Sequence, residues 1–198
     1  MAHIPLEDHL PGITGLLEYR RDTAEPIREL TQVLMRGPSS LTEGERELIA
    51  VVVSYDNECT FCTMAHTAVA DKIYQDPSVA EKVKHEPVSA PVSDKIKSLL
   101  HIARLVGISG KNVDEEAIRQ AKDSGASDLE IHDTVLIAAL FCLYNRYVDG
   151  LATHLPYDPA YFDDLAARLS TKGYVRIPEV YKLLKQTNTN LNQEPPKK

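Results

Sequence analysis

Apolar residues in this chain recur at steps of three and four, and few segments alternate at steps of two. That rhythm predicts an all-α domain. The opening stretch, with Pro5, Pro11 and Gly12, reads as an irregular arm over 1–22 that docks through 13–17. Thr23 can then cap a helix carrying Ile27, Leu30, Val33 and Leu34, stopped by Gly37 and Pro38. Thr42 and Glu45 form a capping box that opens a helix over 45–56. Its run from Leu48 to Val53 holds three valines, which suit a strand by propensity, but the box and the unbroken apolar run favour a buried helix.

A short connection leads into a helix from Cys59 or Thr60 to about residue 74. Asp76 and Pro77 supply an N-cap and a first-turn proline for the next. After a linker at 87–91, Ser93 caps a helix through Ile96, Leu99, Leu100, Ala103 and Leu105, ended by Gly107 and Gly110. An amphipathic helix is expected over 113–124. Ser127 and Glu130 repeat the capping box and launch the longest helix, to about His154. Asp158 and Pro159 start another that Gly173 ends, and 178–185 can form a last one. The domain is therefore expected over 23–186, followed by a polar, disordered tail at 187–198.

The chain has 198 residues, 43% hydrophobic and 26% charged, enough for one domain with a sizeable core. Its formal net charge of −7, with scattered Lys and Arg, argues against nucleic acid or an anionic membrane surface as partner. The longest apolar run, 135–144, is about half a bilayer span. Met1 to Pro5 lacks the charged start and apolar stretch of a secretory leader, so a cytoplasmic protein is expected. Structural disulfides are rare in that compartment. Three cysteines, two of them in a C-x-x-C, then point to redox chemistry or metal binding.

Cys59 and Cys62 are three positions apart, and His66 lies four beyond Cys62, so all three share one helical stripe. A thiolate attacks peroxide oxygen; a helix N-terminus favours it, and an imidazole one turn away can take the proton. The sulfenic acid so formed can condense with a second nearby cysteine before irreversible over-oxidation. Glu47, on the preceding helix, is the best candidate to orient His66, directly or through a water. Glu43, Glu45 and Glu58 are rivals, although Glu45 is claimed by the cap, and Glu58 beside Cys59 would oppose thiolate formation.

Blander readings stand beside this one. The two thiols could be buried packing groups, or bind zinc with His66 and Cys142, though three ligands crowded on one helix suit a tetrahedron poorly. Cys142 within Leu140-Phe-Cys-Leu143 reads as a small buried hydrophobe. His101 and His132 fall on polar faces. Asn145, Arg146 and Asp149 read as structural groups that cap or pair across the long helix, and Tyr55 and Tyr144 as core packing rather than pocket lining.

The segment Glu45-Arg-Glu47-Leu-Ile-Ala50, followed by Cys59-x-x-Cys62-x-x-x-His66, resembles the alkylhydroperoxidase D-like branch of the carboxymuconolactone decarboxylase family. Asn145-Arg-Tyr-Val-Asp149 and the opening Leu10-Pro-Gly-Ile extend the likeness to its peroxidase-related members, over about 10–175. The resemblance implies an all-α, alkylhydroperoxidase D-like domain with a central antiparallel helix bundle. It implies a thiol-dependent peroxidase without a cofactor or metal, acting on hydrogen or organic hydroperoxides. Cys62 would attack, Cys59 resolve, and His66 with Glu47 relay the proton. A thiol reductant (lipoyl, thioredoxin-like or small thiol) and a homo-oligomer (trimer, dimer or hexamer) are implied as partners. Alternatives are a protein-disulfide reductase or redox relay, and a zinc-stabilised helical adaptor. The best-studied members carry a histidine between the two cysteines where this chain has Phe61, so any role of that histidine is absent here. The lactone-decarboxylating branch lacks the dithiol, which disfavours decarboxylation.

Overall fold

The computed structural model describes residues 1–158 and 160–176. These hold nine α-helices and no strand: α1 (Ile13–Tyr19), α2 (Arg21–Arg36), α3 (Glu43–Asp56), α4 (Thr60–Tyr74), α5 (Pro77–His85), α6 (Asp94–Ile108), α7 (Glu115–Asp123), α8 (Asp128–Gly150) and α9 (Ala160–Lys172). The helix α3 organises the rest. It is buried at Gly44 and without interruption from Arg46 to Ser54, so it is apolar nearly all round and packs against α4, α5, α6 and α8. The valines that suit a strand by propensity thus lie in a core helix, whose start the capping box secures. Thr42 Oγ1 accepts from the Glu45 amide at 3.2 Å, and Glu45 Oε2 accepts from the Thr42 amide at 2.7 Å. The same reciprocal pair, Ser127 with Glu130, opens α8.

Several boundaries differ from the expectation. Residues 13–19 are helical rather than irregular, and α2 starts at Arg21. Thr23 therefore sits inside the first turn and caps nothing; its hydroxyl donates to the Arg20 carbonyl at 3.1 Å. Asp114 accepts from the Ala117 amide and opens α7, after a 3₁₀ turn at Gly110–Asn112. The helix α8 ends at Gly150 rather than near His154, because Ala152 adopts a left-handed φ of 48°. The released segment holds the N-terminal arm instead: the Gly12 amide donates to the His154 carbonyl at 3.1 Å, and His154 Nε2 to the Asp8 carbonyl at 2.9 Å. The expected helix at 178–185 and the tail at 187–198 lie outside the described residues. Among the described residues, no helix is long and apolar enough to cross a membrane.

The arm closes over α4 at one glycine. Gly12 has φ +56°, and a Cβ there would collide with the ring of Phe61. Phe61 is itself buried among Leu16, Val148 and Phe162. Gly12→Ala combines left-handed backbone strain with that collision and is expected to cost about 2 kcal/mol or more. A thermal melt should show Tm lowered by roughly 4–8 °C; an unchanged Tm would mean that the arm does not press on Phe61.

Candidate active site

Asn57 and Glu58 turn the chain between α3 and α4, with Glu58 at φ 59°. This turn makes Cys59 the N-cap of α4 and brings Cys62 and His66, one and two turns along, onto the face toward α3 and α8. Both sulfurs are reduced thiols; Cys59 is fully buried and Cys62 is 4% exposed. Glu47, in the buried stretch of α3, is 0% exposed and accepts three hydrogen bonds. His66 Nδ1 donates to its Oε2 at 2.7 Å. Arg36 Nη2 and the Tyr174 hydroxyl both donate to its Oε1 at 2.6 Å.

These contacts set the electrostatics. Burial alone would raise the Glu47 carboxyl; the His66 hydrogen bond and charge, then Arg36 and Tyr174, outweigh it and hold the group below the ordinary glutamate range. An ionised carboxylate only accepts, so His66 Nδ1 donates to it, which leaves Nε2 as the ring nitrogen that can take up and return a proton. The ring is fixed further by an edge contact with Phe141 at 4.5 Å and by lying nearly parallel to Tyr174. The Arg36 guanidinium lies 5.0 Å from the Tyr174 ring centroid.

Around the sulfurs, the neighbouring Cys59, followed by burial, pushes the Cys62 thiol well above the ordinary cysteine range. Asn145 on α8 opposes the shift at Cys62, while Asp149, one turn along, interacts with Cys59. Burial raises the Asp149 carboxyl, and Cys59 lowers it. Asn145 is held by the Asn57 side chain at 2.9 Å and by Ser54 Oγ at 3.1 Å.

All four candidates (Cys59, Cys62, His66 and Glu47) thus gather at the junction of α3 and α4, and Glu47 meets His66 directly. Its rivals are occupied elsewhere: Glu45 in the cap, Glu43 3.4 Å from Arg36, and Glu58 out in solvent. Asn145 and Asp149, expected to be structural, instead act on the sulfurs; they are polar residues four apart in the last two turns of α8, a spacing that puts them on one face. Arg36 and Tyr174 complete the site, and no local sequence pattern ties either to Glu47. Tyr144 lines the cleft beside Cys62 and hydrogen-bonds Thr31 at 2.6 Å, whereas Tyr55 is exposed and paired with His85. Cys142 is half-buried rather than core, with its sulfur 3.6 Å from Asn57 Nδ2. Among the described residues no group of three or more His, Cys, Asp and Glu is arranged to hold a metal.

The model of the carboxymuconolactone decarboxylase family matches residues 21–74, the span from α2 through α4 that carries Arg36, Glu47, Cys59, Cys62 and His66. Curated proteins give no match. Among solved structures, a peroxidase-related protein from a Silicibacter species is 25% identical, with a TM-score of 0.69, over 74% of this chain and 77% of its own. A protein from Ralstonia eutropha, described as an alkylhydroperoxidase D core and peroxidase-related, is 23% identical with a TM-score of 0.73, over 83% and 96%. A third, from Agrobacterium tumefaciens, is of unknown function and has been suggested to be an antioxidant defence protein of the alkylhydroperoxidase D type. It is 16% identical with a TM-score of 0.66, over 80% and 100%, and supports the fold alone.

Replacing Glu47 by Gln keeps the shape and removes the charge, leaving the buried Arg36 guanidinium without its counter-ion. Stability at neutral pH is expected to fall by about 3 kcal/mol or more. The folded-state pKa of Glu47 is depressed, so its contribution is complete above the unfolded-state value and is lost as pH falls through the folded one. Urea melts of both proteins should show their gap narrowing on acidification below the ordinary glutamate range; a gap that holds constant there would refute the ion pair.

Proposed function

We propose that this chain is a thiol-dependent peroxidase working through Cys59 and Cys62, a reading supported by the carboxymuconolactone decarboxylase family match over residues 21–74 and by the fold shared with alkylhydroperoxidase D-like proteins. The observation that carries this reading is that Cys62 and His66 line one cleft, with Cys59 one turn before Cys62 and His66 locked onto Glu47.

In the proposed cycle, His66 Nε2 takes the Cys62 proton as a hydroperoxide arrives, directly or through a water. The α4 N-terminus and the Asn145 amide favour the resulting thiolate. The sulfur attacks the terminal peroxide oxygen, the O–O bond breaks, and the leaving alkoxide takes the proton from His66. Cys62 is now a sulfenic acid, oxidised by two electrons, and the peroxide has become an alcohol. Cys59 then passes its proton to Asp149 and attacks the Cys62 sulfur, forming the disulfide, and the hydroxide that leaves takes the proton back from Asp149 and departs as water. An external dithiol returns two electrons and closes the cycle.

Burial of the sulfurs bears on the alternatives. A flat protein surface cannot reach a fully buried Cys59 or a Cys62 that is only 4% exposed, whereas a small peroxide can enter the cleft. This favours peroxide over a protein disulfide as oxidant, and a slender lipoyl or small-thiol donor over a thioredoxin-like face. Lactone decarboxylation would leave the dithiol without use.

Cys62→Ser should abolish peroxide turnover. Cys59→Ser should consume about one equivalent per chain and stop as a sulfenic acid, and His66→Ala should lower the rate by roughly a hundredfold or more. Peroxide consumption and mass mapping of the 59–62 disulfide after one equivalent check these outcomes. Full activity in Cys62→Ser would end the proposal.

A further inference from the structure

At one wall of the cleft the direction of a hydrogen bond is fixed. Thr31 Oγ1 donates to the Ile27 carbonyl, one turn back, at 2.7 Å. That spends its single proton, so in the 2.6 Å contact between the two hydroxyls Tyr144 donates and Thr31 accepts. Thr31 is fully buried and Tyr144 is only 8% exposed. Burial pushes the Tyr144 hydroxyl up to about 12, against the Thr31 hydrogen bond and the Arg28 charge, so the group keeps its proton at neutral pH. With that proton turned to Thr31, the Tyr144 oxygen can only accept from anything else. Tyr144 lines the same cleft as Cys62 and His66, a space of about 670 Å³ including its open mouth. Along α8, Phe141 meets the His66 ring at 4.5 Å and Asn145 acts on Cys62. Tyr144 stands between these two positions, its ring centroid 5.7 Å from that of Phe141.

An acceptor at this place matches one feature of the reaction. When the Cys62 sulfur attacks the terminal oxygen of a hydroperoxide, the S–O bond forms, the O–O bond breaks, and the alkoxide leaves with the proton from His66. The hydrogen already on the terminal oxygen stays there and becomes the sulfenic O–H. A group that holds this hydrogen from reactant to product must accept and not donate. We propose that Tyr144 is a substrate-orienting catalytic residue: its oxygen accepts the hydroperoxide O–H and aims the terminal oxygen at Cys62, while Thr31 sets the direction of the hydroxyl. The proposal rests on the peroxidase reading and adds these two residues to it. Its consequence is selectivity at the sulfur. An oxidant with an O–H on the attacked atom gains from the orientation, whereas an electrophile without one does not.

Rates of Cys62 modification in the full chain, read by mass mapping, test this with two small reagents. One is tert-butyl hydroperoxide, which has the O–H; the other is methyl methanethiosulfonate, which has neither O–H nor N–H. Tyr144→Phe keeps the ring and should slow the hydroperoxide roughly tenfold, while the thiosulfonate rate stays within about twofold. Thr31→Val frees the Tyr144 proton to turn into the cleft and should slow the hydroperoxide by roughly threefold or more. Thr31→Ser restores the acceptor and should recover most of that rate. Damage to the fold or to the sulfur would slow both reagents alike, so equal losses in Tyr144→Phe would overturn the proposal, as would an unchanged hydroperoxide rate. A hydroperoxide rate untouched by Thr31→Val would overturn the assigned direction of the hydroxyl, and the acceptor role with it. In each of these cases the unsubstituted chain still reduces hydroperoxide. If its Cys62 reacts with the thiosulfonate but not with hydroperoxide, the peroxidase reading itself fails and takes the role of Tyr144 with it.

Discussion

An ionised carboxylate at the centre of a helical core is costly, and the site depends on how Glu47 is accommodated. Its three donors come from three separate parts of the chain: His66 from α4, Arg36 from the last residue of α2, and Tyr174 from the segment after α9. None of these can be lost without leaving a buried charge or lone pair unmatched. The anion therefore acts as a geometric constraint, fixing how the ends of α2 and α9 meet the α3–α4 pair. It also determines which imidazole nitrogen can take up and return a proton, so the same interaction that joins the helices defines the proton acceptor.

The sulfurs are held by a second, complementary set of contacts. The left-handed turn at Glu58 lets α3 and α4 follow each other closely, and Asn145 ties that turn to α8 through Asn57 and Ser54. Asn145 and Asp149 then each address a different sulfur. This division matters because a close pair of thiols titrates as a unit and gives up only one proton readily. An amide at one sulfur and a carboxylate at the other make the two inequivalent. In the proposed cycle, Cys62 attacks and Cys59 follows.

Much of this was legible from local rules. Capping boxes at Thr42 and Ser127 mark the starts of α3 and α8, and the steps of three and four from Cys59 through Cys62 to His66 put the reactive groups on one stripe. The pairing of Glu47 with His66 followed from a short connection between adjacent helices. Features arising from distant encounters were not legible. Arg36 lies 11 positions from Glu47 and Tyr174 lies 127 positions away, and neither belongs to a periodic pattern that points to the site. Thr23 has the chemistry of a cap, but α2 had already begun at Arg21. The early end of α8 depends on the arm, which takes up the His154 backbone and ring. In each case tertiary contacts overrode a sound local preference.

Phe61, between the two cysteines, shows how one side chain can redirect access to a site. A polar residue there could face solvent beside the dithiol, but Phe61 packs inward against Tyr161 and Phe162, and the arm closes on it at Gly12, where only a missing Cβ leaves room. The first turn of α4 is thereby covered from the arm side. Cys62 keeps 4% of its surface, and that sulfur borders the arginine-lined cleft. Access for oxidant and reductant thus becomes a property of the cleft walls, to which α1, α2 and α9 contribute and α3 does not. Divergence in those outer helices can change which molecule reaches the sulfur while Glu47, His66 and the dithiol stay as they are.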